Sequence, residues 1–156
     1  MLLVRVAYNG DTRGTGEGSE MTKMVNLTPH TLDLLVHDGN GQQVGWVDFH
    51  CGRTRPSRFR FADRLVSDGV ARATTTIRLT DEFVWVGGEK FLISRTTFGA
   101  PVGLPDPVFD TVYVVSLATA QGAATAGRTT ADLLVVGETV RDEDGRVIGC
   151  TGFDRV

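Results

Sequence analysis

The sequence predicts a mainly β fold of the β-rich α+β kind, a strongly bent or partly closed antiparallel sheet with one short helix near 117–126. Three observations carry this. From residue 24 onward, apolar residues recur with a period of two rather than 3.6. The runs are cut at short intervals by turn formers, among them Asp38-Gly39-Asn40-Gly41, Gly87-Gly88 and Asp142-Glu143-Asp144-Gly145. One stretch alone, Leu117 to Ala124, is alanine-rich and without strand alternation.

Residues 10–20 hold four glycines and little that could pack, which is linker composition. Residues 1–20 therefore read as a flexible N-terminal extension and residues 21–156 as a single β-rich domain; alternatively, Leu2–Ala7 is a strand that pairs with another subunit. Leu32, Leu34 and Val36 alternate with Thr31, Asp33 and Leu35, and Val44 to Phe49 is the expected return strand of a hairpin, with Trp46 in its core or at its rim. Arg58-Phe59-Arg60-Phe61 puts two aromatics on one face and two guanidiniums on the other. Residues 71–79 and 83–86 read as strands, and Lys90–Thr96 follows Gly87-Gly88 as the second arm of a hairpin. Pro101, Pro105 and Pro107 make 99–110 an extended loop, since each removes a ladder donor. Thr111–Val115 is apolar almost throughout and so is expected at the sheet centre. It runs into the helix, with Ser116 as N-cap and Gly127 just past the C-terminus. Strands near Leu133–Val136 and Arg146–Phe153 complete the sheet.

At 156 residues the chain is sized for one domain. A net charge of −3 argues against bulk nucleic-acid binding, so nucleic acid is not an expected partner. No apolar run approaches the roughly 18 residues a membrane helix needs, and the N-terminus is too short for a signal sequence, so a cytoplasmic location without membrane contact is expected. Cys51 and Cys150 lack metal-ligand spacing; one disulfide is arithmetically possible, but two buried free thiols is the simpler reading. Arginine outnumbers lysine 14 to 2, which suits phosphate recognition by planar forks but also follows from GC-rich coding.

Two groups of residues are candidates for a site. Asn26, Thr28 and His30 share one parity, so an extended chain would present an amide, a hydroxyl and an imidazole together. The same residues also suit a strand entry held by local side-chain to backbone bonds. Ser116 at a helix N-terminus, with Arg128, Asp132 and Arg141, could hold an anion; read singly, these arginines are surface ion pairs. Arg53, Arg55, Arg58, Arg60 and Arg64 interleave with Phe59 and Phe61, but strand alternation separates charge from stacking, which favours a solvated face over a buried Phe pair.

Catalytic signatures are weak. There is no GxSxG, HExxH, P-loop or dinucleotide fingerprint. Nothing in the sequence gives Ser116 a strained elbow or an oxyanion hole for a Ser116–His30–Asp132 triad, and no spacing converges His30, His50 and Asp48 on a metal. No cofactor or metal is expected.

Asn26-Leu27-Thr28-Pro29-His30, Gly103–Pro107, Thr111–Ser116 and Arg141–Gly149 stand in an order that resembles a family of small, uncharacterised bacterial and phage proteins, over residues 25–153. The resemblance implies a phage- or prophage-type sponge or inhibitor. Together with the candidate site it leads to a non-enzymatic, homo-oligomeric binding protein for a small anionic molecule, phosphorylated and nucleotide-derived. The alternatives are a small hydrolase or lyase on a similar ligand with His30 as acid/base, and a structural or protein-inhibitory module with no small-molecule site.

Overall fold

Val112, Tyr113, Val114 and Val115 are all buried, so the strand they form needs cover on both faces. The architecture supplies it. A computed structural model describes residues 2–5, 21–37, 44–47, 54–57 and 59–156. Along the chain these form β1 (Leu2–Arg5), β2 (Met21–Asn26), β3 (Leu32–His37), β4 (Val44–Val47), β5 (Thr54–Ser57), β6 (Phe59–Leu65), β7 (Arg72–Val86) and β8 (Glu89–Val102). They are followed by β9 (Thr111–Val115), α1 (Leu117–Thr125), β10 (Leu133–Val136), β11 (Thr139–Arg141), β12 (Val147–Cys150) and β13 (Phe153–Asp154).

β9 is the middle strand of a sheet ordered β1-β2-β9-β10-β13, parallel to both β2 and β10. Its odd residues, with Val25, Leu133 and Val135 of the flanking strands, pack on Ala120 and Ala123 of α1. Its even residues, with Met24, pack on Leu65 and Leu32 of a second sheet ordered β11-β12-β3-β6. The central sheet is thus sandwiched between a helix and another sheet, and the all-apolar reading of β9 is the consequence.

The chain is β-rich α+β with one short helix, as the sequence predicts. The sheets are mixed and do not close into a barrel, where the sequence suggests mainly antiparallel strands in a bent or partly closed sheet. Burial of β9 on both faces favours parallel neighbours joined by a crossover helix over a hairpin meander. Hairpin partners differ as well. β3 pairs with β6 and, in parallel, with β12, whereas β4 pairs with β5. The turn at 38–41 lies outside the described residues. β1 pairs antiparallel with β2 of the same chain, Leu2 opposite Met24, so the sheet's first strand comes from the segment read as an extension; residues 6–20 lie outside the described ones.

The helix is capped as expected. The Ser116 hydroxyl accepts from the Thr119 amide, and Gly127 takes φ +79° just past the C-terminus. α1 also rests on the base of the β7–β8 hairpin. A Cβ on Gly122 would stand 2.3 Å from the Gly99 carbonyl oxygen, so only glycine allows this approach. Beyond that base the hairpin leaves the body of the fold as a two-stranded ribbon turned at Gly87-Gly88. Among the described residues no helix is long and apolar enough to cross a membrane.

Candidate functional site

The opening motif builds a knot rather than a lining. Asn26 is completely buried, and its amide donates to the carbonyls of His30 (2.7 Å) and Leu65 (3.0 Å). Its side-chain oxygen accepts from the backbone amide (2.9 Å) and hydroxyl (2.7 Å) of Thr28. Ser67 joins through its hydroxyl, which donates to the Thr28 carbonyl at 2.6 Å. Every polar atom of the Asn26 side chain thus works inside the fold, holding the bend after β2 against the segment after β6. β2 ends at Asn26 and the chain bends from Thr28, so strand parity does not carry through to His30, which is exposed.

Parallel pairing then fixes where the remaining candidates lie. β2 and β9 align Asn26 with Val114, so Thr28 and Ser116 leave the sheet from the same end, where α1 begins and His30 follows two residues after Thr28. Asp132 precedes Leu133, which aligns with Tyr113, so it sits level with Val112, four residues or about 13 Å short of Ser116. Arg128 follows the far end of α1. Its Nη1 and Nη2 grip the Asp132 carboxylate at 3.0 and 2.8 Å and donate to the carbonyls of Thr129 (2.7 Å) and Pro105 (2.8 Å). This fork ties the proline-rich loop to the start of β10, and its Nε is buried without a partner. Arg141 belongs to the second sheet, where its Nη1 closes the 142–145 turn by donating to the Gly145 carbonyl at 2.7 Å.

The seven candidates therefore occupy three places. Asn26, Thr28, His30 and Ser116 share one end of the sheet, Arg128 and Asp132 the opposite end, and Arg141 the outer strand of the other sheet. Ser116 and His30 face no carboxylate from Asp132, which Arg128 engages at the other end of the sheet. No group of three or more His, Cys, Asp or Glu side chains gathers to hold a metal among the described residues. His50, Asp48, Cys51, Arg53 and Arg58 lie outside those residues. Arg60 is exposed, and Arg64 forks onto Asp33 directly across β3 at 2.5 and 2.9 Å, over the half-buried Phe61 ring. Cys150 is a free, buried thiol; burial pushes its pKa up, against a smaller lowering from the Gly152 backbone.

The largest unexplained surface is one that sequence reasoning read only as a hairpin. On the β7–β8 ribbon, Ile77, Leu79, Phe83, Trp85, Phe91 and Leu92 are all between 44% and 73% exposed. Val84, Val86 and Ile93 add to them. Cross-strand register puts Phe83, Trp85, Leu92, Leu79 and Ile77 on one face, because Trp85 faces Lys90, Phe83 faces Leu92, Leu79 faces Ser94 and Ile77 faces Thr96. The Phe83 and Trp85 rings meet edge-on at 6.1 Å, and the Lys90 ammonium lies 4.2 Å from the Phe83 centroid. The signal that finds this surface is the near-continuous apolar character of 83–86 and 91–93, too apolar for a ribbon wet on both faces.

Comparison with protein families, with curated proteins and with solved structures finds nothing that matches this chain.

Proposed function

We propose that the protein is a non-enzymatic binding module, structural or inhibitory, whose β7–β8 arm docks on a protein surface. One observation carries this reading: nine large apolar side chains stand exposed on a ribbon that nothing else in the described fold covers. Together they expose on the order of 1,000 Å², about what one partner contributes to a stable interface. Ile77, Leu79, Phe83, Trp85 and Leu92 carry the larger share of this on one face, and a contiguous apolar patch of several hundred Å² on a monomer marks an interaction site. A photo-cross-linking residue at position 79 or 85, irradiated in cells making the protein, is expected to capture a protein neighbour, while the same residue at position 143 captures none. Equal capture, or none, at all three positions overturns the reading.

A second reading keeps the small anionic ligand, phosphorylated and nucleotide-derived, at the end of the sheet where β2 and β9 finish and α1 begins, the end His30 follows in sequence. What favours it is that the open ends of parallel strands beside a helix N-terminus suit phosphate groups. Calorimetry of the purified protein against cyclic and linear nucleotides tests it: binding weakened at least tenfold by His30→Ala supports it, and silence at tens of micromolar removes it. Turnover of the bound nucleotide, lost in His30→Ala, would instead favour the hydrolase or lyase alternative.

A further inference from the structure

We infer that the partner of the arm is a second copy of this chain, joined through antiparallel pairing of the two β8 edges about a two-fold axis at Leu92. The inference rests on the docking reading above and names its occupant.

The two edges of the ribbon are not equivalent. β7 is bulged between Leu79 and Phe83, where Asp81 and Glu82 interrupt the ladder and the Thr80 hydroxyl accepts from the Glu82 amide. A bulge with acidic residues is how proteins blunt an edge against pairing. β8 has no such device through its outer stretch. Its residues Glu89 to Leu92 pair in regular register on the β7 side, Ile93 lies opposite the β7 bulge, and the other side of β8 faces no strand among the described residues. A lone two-stranded ribbon is marginal in water, and a further strand on its open edge stabilises it.

Register can be read from the sequence of β8 itself. Two copies paired antiparallel with Leu92 opposite Leu92 of the partner subunit place Phe91 opposite Ile93 of the partner subunit. The same register places Glu89 opposite Arg95 of the partner subunit, on the same face, and every pair off the axis occurs twice. In antiparallel ladders, opposite charges and apolar pairs directly across stabilise, and like charges destabilise. That second rule exposes an anomaly within the single chain. Arg78 and Arg95 stand directly across the ribbon from one another, and neither has a carboxylate partner among the described residues. A Glu89 carboxylate delivered by the other copy beside Arg95 relieves the repulsion. The self-complementary pattern is what an isologous interface requires, since each contact must be made in both directions. The joined ribbons form a four-stranded sheet whose shared apolar face, carrying Trp85, Phe83 and Leu79 from each copy, is positioned to stack on an identical pair.

Light scattering and sedimentation of the purified full chain test this. The wild type is expected to have an even multiple of the 16.8 kDa chain mass at tens of micromolar. Arg95→Glu and Glu89→Arg, each alone, are expected to weaken association at least tenfold. Both changes in one chain, or an equimolar mixture of the two single variants, restore it, because each then presents opposite charges across the register. Circular dichroism and the thermal midpoint show whether the single variants still fold; Phe91→Lys, which leaves every charge pair inside the chain untouched, breaks assembly by a separate route. A monomeric wild type, an odd-numbered assembly, or assembly indifferent to both single charge reversals overturns the inference. A monomer that still cross-links another protein from positions 79 and 85 overturns the self-pairing and leaves the docking reading standing.

Discussion

Asn26 shows how one side chain can carry a motif. Its amide nitrogen donates to two carbonyls and its oxygen accepts from two donors, all at a site closed to water. Asn26→Asp keeps shape and size but turns a double donor into an acceptor facing two carbonyl oxygens. It is expected to destabilise the fold by about 3 kcal/mol or more, since buried groups left unmatched cost their full desolvation, measured by urea unfolding at neutral pH. Cys150 supplies the pH dependence. Burial raises its pKa in the folded chain, and the Asp33 carboxylate pushes the same way. A group with a higher pKa folded than unfolded gives its full stabilisation below the unfolded value, about 8.5 for a thiol, and loses it as pH rises through the folded value. Unfolding free energy is therefore expected to decline more steeply above about pH 8.5 in the wild type than in Cys150→Ala. Alkylation of Cys150, followed by peptide mass spectrometry at pH 8, is expected to be at least tenfold slower than in urea.

The elements divide by the range of the information that makes them. The helix was legible because its signals are local: Ser116 caps it, Gly127 ends it, and the alanines between favour it. The Gly87-Gly88 turn was legible for the same reason, both residues taking positive φ. Strand partners were not, because β9 draws β2 from about ninety residues upstream and β3 passes over its sequence neighbour for β6; nothing local encodes such choices. Parity misled at the candidate site. β2 ends at Asn26, and the bend that follows, rather than strand alternation, turns the Asn26 and Thr28 side chains to each other and to backbone. Gly122 tests the packing of an element whose own preferences say otherwise. In an isolated helix Gly122→Ala would add about 1 kcal/mol of helix stability. Here the new methyl meets the Gly99 carbonyl and, at 3.1 Å, the Ala73 methyl, so the helix must lift from the arm's base. Net destabilisation of about 1–3 kcal/mol is expected, as for overpacked cores, read as a lower thermal midpoint. A midpoint unchanged or raised would show that α1 does not bear on the hairpin.

At the scale of the whole molecule, the layers explain why the described chain spends so few residues on a core. The central sheet meets α1 on one face and the second sheet on the other, and α1 in turn carries the base of the arm. One strand at the edge of this stack comes from the first residues of the chain. Leu2 packs against the cluster of Met24, Leu65, Val112 and Val114, and β1 pairs with β2 along all four of its residues. Composition hides this role, because the glycine-rich stretch at 10–20 reads as a linker leading to nothing, while the strand before it is only four residues long. Deleting residues 1–20 is expected to cost about 1–2 kcal/mol, mostly the burial of Leu2 and the apolar flank of Met24, and to lower the thermal midpoint by about 5 °C. Hydrogen exchange distinguishes this from a general loosening. Amides of β2 that lose the β1 ladder should exchange faster, while those of Tyr113 and Leu133, bonded to the Asp132 and Thr130 carbonyls at 2.8 and 2.9 Å on the far side of the sheet, keep their protection. Unchanged stability after the deletion would mean that β1 rests on the sheet without supporting it.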